Sequence, residues 1–250
     1  MLKYKVLIIG HGVVGHNLAE ELKKLQPEII DKYKNGEKHV SEGHYDVGFV
    51  CVPTPLMDNG FLDWQEVRNA IMENDCGLYV IKSTVPVGVT NSLRHELQKR
   101  IVFSPEYYGG TQHCNNFDFP FTILGGDKTD CIKVQQLLQN VYDARHKFYF
   151  TTPETAELVK FMENSWLATK VTFCCEFYRA AEKVGVNYEE LRELFLADPR
   201  VNPAHTFVYR EHPYYDSHCL NKDVPHIANQ LDIRLLKDIE IINNWQKSSH

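Results

Sequence analysis

Three glycines near the N-terminus have the spacing that could hold a diphosphate. The apolar run Val6–Ile9 is followed by Gly10-His11-Gly12-Val13-Val14-Gly15, a G-x-G-x-x-G pattern. After a strand and before a helix, Gly10 permits the tight turn, Gly12 allows close approach of a diphosphate, and Gly15 lets the helix pack on the strand. The diphosphate would lie over amides at the positive end of that helix. This spacing predicts a dinucleotide site.

An acidic residue about 20 positions after the first glycine completes this pattern. Asp31 follows the short apolar run Glu28–Ile30. A carboxylate there accepts hydrogen bonds from ribose hydroxyls and repels a 2′-phosphate, which favours NAD over NADP. The lysines at positions 32 and 34 reduce that discrimination. We therefore expect NAD as the cofactor, bound by Gly10, Gly12, Val13, Val14, Gly15 and Asp31.

The elements around this motif predict an α/β fold. Short apolar runs alternate with helix-like stretches; the runs lie at 6–9, 28–30, 47–52, 78–81, 101–103, 121–124 and 148–150, and the helix-like stretches near 13–25, 64–73, 87–99 and 128–141. Strands that alternate with helices form right-handed crossovers and a doubly wound parallel sheet. We predict an N-terminal NAD-binding Rossmann domain over residues 1–150.

The second part of the chain predicts helices. Thr152-Pro153 is a helix start with Thr as N-cap, and neither Gly nor Pro interrupts Glu154–Lys183. Such a helix would be about 45 Å long and would end at Gly185. Further along, the sequence predicts a capped helix from Asn187, an irregular segment over 200–226 and an amphipathic helix over 227–245. We predict an α-helical, dimerisation-type domain over 151–250, connected to the first domain by the long helix.

Composition excludes several classes of protein. The net charge of −6 gives no overall basic field for nucleic acid or an anionic membrane. No stretch approaches the roughly 18 apolar residues of a membrane span, and the N-terminus lacks the features of a signal peptide. The seven cysteines contain no C-x-x-C and the twelve histidines no H-E-x-x-H. We therefore expect a cytoplasmic protein with no disulfide framework, no metal site, and no nucleic-acid or membrane partner.

Further short segments follow the glycine motif in order. They are Val52-Pro53-Thr54-Pro55, Asp58-Asn59-Gly60, Lys82-Ser83-Thr84-Val85-Pro86-Val87-Gly88, Ser104-Pro105-Glu106-Tyr107, Ala156–Asn164, Asp198-Pro199-Arg200 and Cys219-Leu220-Asn221-Lys222-Asp223. This ordered series resembles the UDP-glucose/GDP-mannose dehydrogenase family over nearly the whole chain. The resemblance implies oxidation of the C6 alcohol of a nucleotide sugar to a carboxylate by two NAD+ in succession. Family members carry a further C-terminal UDP-binding type of domain, which we expect this chain to lack.

The resemblance also implies roles for individual residues. Cys219 takes the position of the family's catalytic cysteine, with Lys160 and Asn164 flanking the reacting carbon. The implied catalytic residues are Cys219, Lys160, Asn164, Asp223, Glu106 and Thr84. The implied further cofactor contacts are Pro53, Thr54, Thr84 and Lys222. The implied substrate contacts are Glu106, Lys160, Asn164 and Arg200, with Arg200 reaching the substrate of the partner subunit.

These residue types suit the implied chemistry. A thiolate traps an aldehyde as a thiohemiacetal, and its oxidation gives a thioester that water cleaves. Lys222, three residues after Cys219, could lower the pKa of the thiol. Lys160 and Asn164 share a helix face at i and i+4, and a carboxylate such as Glu106 or Asp223 could activate the hydrolytic water. The cysteines in apolar segments are expected to be buried and inert; they are Cys51, Cys76, Cys131, Cys174 and Cys175.

Two other interpretations remain open. The chain could oxidise a smaller hydroxy compound in a single hydride transfer that uses Lys160 and Asn164 without Cys219. It could also be a non-catalytic NAD-binding module, because Tyr214-Tyr215-Asp216-Ser217 stands where the family has glycines before the cysteine. The long helix carries apolar residues that could form a homodimer interface, an intrachain core or both, and we predict a homodimer; these residues are Trp166, Phe173, Phe177 and Tyr178.

Overall fold

The computed structural model describes residues 4–32, 40–108 and 119–249. The chain divides into two compact units. Unit 1 comprises Met1–Met57 and Leu62–Lys160, and unit 2 comprises Asp58–Phe61 and Phe161–His250.

Unit 1 is built on a seven-stranded sheet in the order β2-β1-β4-β6-β7-β8-β9. These strands are β1 (Val6–Ile9), β2 (Glu28–Ile30), β4 (Val47–Val50), β6 (Tyr79–Ile81), β7 (Ile101–Phe103), β8 (Phe121–Gly125) and β9 (Lys147–Thr151). A small separate pair is formed by β3 (His44–Tyr45) and β5 (Asp75–Cys76). In the large sheet, β7 and β8 pair antiparallel and the other described neighbours pair parallel. The predicted α/β fold with a doubly wound sheet is confirmed, with this one antiparallel step added.

The central strands are buried on both faces. Alternate residues of β1 enter different apolar clusters: Leu7 and Ile9 belong to one, and Val6 and Ile8 to the other. This burial is typical of parallel strands covered by helices on both sides. The α-helices that lie wholly within the described part of unit 1 are α1 (Val13–Glu21), α2 (Gln65–Glu73), α3 (Val89–Leu97) and α4 (Lys128–Leu138).

The long helix α5 runs over Pro153–Val184, as the sequence predicted. The hydroxyl oxygen of Thr152 accepts a hydrogen bond from the backbone N–H of Thr155 at 3.2 Å, which caps the first turn. Gly185 follows the helix with a φ of +71°, a left-handed conformation that glycine adopts without steric cost.

The C-terminal region corrects two sequence expectations. The predicted cap of α6 (Tyr188–Phe195) is confirmed, because the side-chain oxygen of Asn187 accepts from the N–H of Glu190. The segment 200–226 is not irregular to its end, since α7 covers His218–Gln230 and its N-cap is Ser217. The expected helix over 227–245 is in fact the end of α7 and a separate helix α8 (Arg234–Ser248). Asp232 separates them with a φ of +52°, which interrupts the helix although no Gly or Pro marks the break.

None of the helices within the described ranges combines the length and apolar character that a membrane crossing requires.

Candidate active site

Two of the three glycines in the turn of unit 1 have no room for a side chain. Gly10 follows β1 with a φ of +96°, and a Cβ there would lie 2.5 Å from the carbonyl oxygen of Cys51. A Cβ on Gly15 would overlap the carbonyl oxygen of Gly10. At Gly12, the N-cap of α1, a Cβ would meet nothing within 4 Å. Backbone atoms therefore pack closely against Gly10 and Gly15, whereas the space beside Gly12 is open, as a diphosphate site at a helix N-terminus requires.

Asp31 lies beside this turn, immediately after β2. Its carboxylate accepts a hydrogen bond from the backbone N–H of His11 at 2.8 Å. A cavity of about 190 Å³ is lined by the glycine turn, by Asp31 and by Pro53, which follows β4. The structure thus brings together three features that the sequence predicted to bind one dinucleotide.

The remaining predicted cofactor residues of unit 1 have different environments. Thr54 is buried, and Thr84 is half-buried in the connection between β6 and α3. Val13 is exposed in the first turn of α1, whereas Val14 packs against an apolar cluster of the sheet.

A buried cluster of charged groups follows the strand ends of unit 1. Glu106 is buried, and its carboxylate accepts from the N–H of Tyr108 at 2.8 Å. Lys82 follows β6, and its ammonium donates to the hydroxyl of Ser104 at 3.3 Å and to the carbonyl of Pro105 at 3.2 Å. Burial lowers the pKa of Lys82, and the carboxylate of Glu106 opposes that shift. Lys82 was not among the predicted site residues, although its place directly after a buried strand was a usable signal.

Lys160 and Glu157 are two further buried charged residues of unit 1, and both lie on α5. Lys160 is buried, with its ammonium 5.4 Å from the ring centroid of Tyr107, within the range of a cation–π contact. Glu157 is buried one turn earlier and accepts from the backbone N–H groups of Gly88 at 2.6 Å and Thr90 at 2.9 Å. It therefore fixes the start of α3 to α5. No local pattern in the sequence predicts this contact, because its partners lie far apart in the chain.

Unit 2 places the predicted nucleophile on a helix rather than on a loop. Cys219 is exposed in the first turn of α7. The hydroxyl of Ser217 accepts from the N–H of Leu220 at 3.1 Å and caps the helix. Backbone N–H groups at a helix N-terminus favour negative charge on a nearby side chain. The sequence signal was the Ser217 cap, which was missed because the following residues are polar and Pro225 lies inside the helix.

Asp223 is the centre of a buried polar network in unit 2. Its side chain is 1% exposed, and one oxygen accepts from the ammonium of Lys222 at 2.6 Å. The other oxygen accepts from the side-chain amide of Asn164 at 2.6 Å. Both partners are thus oriented by one carboxylate. Asn164 is itself buried on α5, one turn after Lys160.

Arg200 lies on the surface of unit 2. Its guanidinium is paired with the carboxylate of Asp198, with nitrogen–oxygen distances of 2.6 Å and 3.0 Å. This pairing lowers the pKa of Asp198. Arg200 contacts no other predicted site residue among the hydrogen bonds and ion pairs of the described ranges.

The cysteines expected to be inert are buried. Burial raises the pKa of Cys51 and Cys175 to about 12, so these thiols stay protonated at neutral pH. The same burial holds for Cys76, Cys131 and Cys174. Cys114 lies outside the described residues. Within those residues, no group of three or more His, Cys, Asp or Glu side chains is placed to hold a metal ion.

Comparison with known proteins identifies both halves of the chain. Residues 31–146 match the NAD binding domain of the UDP-glucose/GDP-mannose dehydrogenase family, and residues 154–247 match the central domain of that family. The chain is 28% identical to the UDP-glucose 6-dehydrogenase of Rickettsia typhi over 258 residues. This alignment covers 95% of the chain and 57% of the relative, so the chain spans little more than half the length of that protein.

Solved structures share the fold. A UDP-glucose dehydrogenase from Pyrobaculum islandicum superposes with a TM-score of 0.78 at 20% identity, covering 97% of this chain and 68% of that one. A 3-hydroxyisobutyrate dehydrogenase from Mycobacterium tuberculosis, solved with L-serine, gives a TM-score of 0.70 at 14% identity, covering 97% and 93%. At these identities the likeness is one of fold alone.

Proposed function

Because the chain belongs to the UDP-glucose/GDP-mannose dehydrogenase family, with an N-terminal unit that is the NAD-binding domain of that family, we propose that it oxidises the C6 alcohol of a nucleotide sugar to a carboxylate. The observation that carries the proposal is the exposed Cys219 in the first turn of α7, followed by Lys222 and Asp223. UDP-glucose, named for the relatives from Rickettsia typhi and Pyrobaculum islandicum, is the first sugar to test.

Cys219 is the proposed nucleophile. The aldehyde made by the first oxidation accepts the thiolate at its carbonyl carbon and takes up a proton, which gives a thiohemiacetal. Loss of the carbon-bound hydride and the hydroxyl proton converts this species into a thioester. Water then breaks the carbon–sulfur bond, releasing the carboxylate and restoring the thiol. The α7 N-terminus and Lys222 support the thiolate in this scheme.

Proton transfer and charge stabilisation are assigned to the buried polar residues. Lys160 offers an ammonium and Asn164 an amide to the oxygen that carries developing negative charge. Glu106 is the proposed base for the hydrolytic water, with Lys82 supplying a nearby positive charge. Asp223 positions Asn164 and Lys222 through its two short hydrogen bonds. Thr84 and Arg200 keep their family-implied roles near the substrate as part of the proposal.

The residues of unit 1 fit the cofactor. A Cβ on Gly10 or Gly15 would clash with backbone atoms, and Asp31 is among the residues that line the adjoining cavity. When bound there, NAD+ would accept one hydride in each oxidation. Gly12, Pro53 and Asp31 would hold its diphosphate and ribose.

We also propose a homodimer, which is supported by an exposed apolar stripe on α5. The stripe consists of Met162, Trp166, Phe173, Phe177 and Val184. Their spacing places them on one face of the helix over about 33 Å. Exposed apolar surface of this extent is typical of an interface.

The stripe can be tested by changing one of its residues. We expect Phe173→Glu to convert a dimer into a monomer in sedimentation velocity experiments, because a carboxylate would be buried in an apolar interface. Ile241→Glu is the matched control, since Ile241 is also an exposed apolar residue but belongs to a different helix, α8. A monomeric wild type, or a dimer that Phe173→Glu leaves intact, would contradict the proposal.

The activity is tested with a panel of UDP- and GDP-sugars and NAD+, followed by the absorbance of NADH. We expect turnover with at least one nucleotide sugar and two NADH for each acid formed. Binding of NAD+ without turnover of any alcohol would instead identify a non-catalytic module. The cytoplasmic location and the absence of nucleic-acid and membrane partners remain predictions.

A second candidate is the oxidation of a smaller hydroxy acid. It would use Lys160 and Asn164, which are both buried and lie one turn apart on α5, in a single hydride transfer. Such an enzyme would give one NADH per substrate and would not need Cys219. Adding 3-hydroxyisobutyrate to the panel separates the two candidates.

A further inference from the structure

One face of α2 forms a wall of the cofactor cavity. Glu66, Asn69, Ala70 and Glu73 all line the cavity, and they lie at positions i, i+3, i+4 and i+7 of the helix, which share a face. Two of these four side chains are carboxylates. The same cavity contains Asp31, so its adenosine-side wall carries at least three acidic groups.

Lys32 also lines this cavity and forms an ion pair with Glu66 of α2. The ammonium of Lys32 lies 2.9 Å from one carboxylate oxygen of Glu66 and 3.1 Å from the other. The two side chains are 37% and 31% exposed. Lys32 directly follows Asp31, whose carboxylate is bonded to the N–H of His11. Lys34 lies outside the described residues.

Lys32 puts a positive charge next to Asp31, the residue expected to bind the ribose of NAD. This charge would favour NADP, but Lys32 is paired with Glu66. A cation next to the ribose-binding acid is the group that a 2′-phosphate would use, since NADP sites place a positive side chain near that hydroxyl. Both carboxylate oxygens of Glu66 accept hydrogen bonds from the ammonium of Lys32, and the negative charge of Glu66 offsets the positive charge of Lys32. A 2′-phosphate would have to displace Glu66 and would then face its negative charge as well as that of Asp31.

We propose that Glu66 is a specificity-determining residue that favours NAD+ over NADP+ by holding Lys32 in an ion pair. It acts through Lys32 and does not need to touch the nicotinamide or the substrate. The inference rests on the dinucleotide site of unit 1 and is independent of the oxidation chemistry proposed above.

The test compares the dissociation constants of NAD+ and NADP+ by titration calorimetry. Glu66→Gln keeps the size of the side chain but removes its charge, and with it the ion pair to Lys32. We expect the preference for NAD+ over NADP+, taken as the ratio of the two dissociation constants, to fall on the order of tenfold. The matched control is Glu73→Gln, which makes the same charge change on the same helix face and should alter the preference much less.

The double variant Glu66→Gln/Lys32→Gln shows whether Glu66 acts through Lys32 or only through its negative charge in the cavity. In that variant the gain in NADP+ affinity should disappear. Three results would each overturn the inference while leaving the NAD site in place. The first is an unchanged preference for NAD+ in Glu66→Gln, and the second is an equal change of preference in Glu73→Gln. The third is a gain in NADP+ affinity that persists in the double variant. A wild type that binds neither dinucleotide would overturn the site itself, and the inference with it. Far-UV circular dichroism spectra that match the wild type show that the variants are folded.

Discussion

Replacing Asp223 with asparagine removes the charge at the centre of the polar network of unit 2. Asp223 is 1% exposed and accepts hydrogen bonds from Lys222 and Asn164, each at 2.6 Å. Asparagine has nearly the same size, and its oxygen can still accept one of the two bonds. The ammonium of Lys222, whose side chain is 13% exposed, would then lie largely buried without its counter-ion.

The expected cost follows from that burial. Removing one partner of a buried ion pair costs about 3–5 kcal/mol. Since Lys222 keeps some exposure and one hydrogen bond is retained, we expect Asp223→Asn to lower the free energy of unfolding by about 3 kcal/mol. Urea denaturation followed by tryptophan fluorescence measures this loss, because Trp166 and Trp245 both lie in unit 2.

Asp232→Asn is the matched control. Asp232 is paired with Lys237 on the surface of the same unit, and its φ of +52° is one that asparagine tolerates. Exposed pairs contribute little to stability, so this variant should unfold at nearly the wild-type urea concentration. Equal losses in the two variants would refute the description of Asp223 as a buried charge that holds Lys222 and Asn164.

Two further predictions concern buried titratable groups. Glu157→Ala should lower the free energy of unfolding by about 2–4 kcal/mol, because it leaves the N–H groups of Gly88 and Thr90 without their acceptor; a loss below 1 kcal/mol in urea denaturation would contradict this. Burial lowers the pKa of His226 from its usual 6.5, so the unfolded chain binds the proton more tightly and stability should fall as the pH drops below 6.5. His226→Phe should reduce that fall in denaturation curves across this pH range, and an unchanged slope would assign the acid sensitivity to other groups.

Local patterns in the sequence were sufficient for the glycine turn and the long helix. The positions of Gly10 and Gly15 follow from steric limits that act within a few residues, and the structure shows the close backbone contacts that they permit. The boundaries of α5 follow from the Thr152 cap and from Gly185, both of which act on the adjacent turn. Features of this kind are specified by neighbours in the chain.

Features that depend on distant residues were not predictable. Glu157 caps α3 across 69 positions of sequence, and Glu66 meets Lys32 across 34. Neither pairing leaves a periodic or local signal. The helix that carries Cys219 was missed for another reason: its Ser217 cap precedes a polar first turn, and Pro225 suggested a loop, although the helix continues through it.

The most direct test of the proposed chemistry is the product formed by the Cys219→Ser variant with a nucleotide sugar that the wild type oxidises. The wild type should release the acid with two NADH, whereas the variant should stop at the aldehyde after one, because a hydroxyl at this position is a far poorer nucleophile than a thiolate. Acid formation by the variant at the wild-type rate would show that the sulfur of Cys219 does not carry the second oxidation.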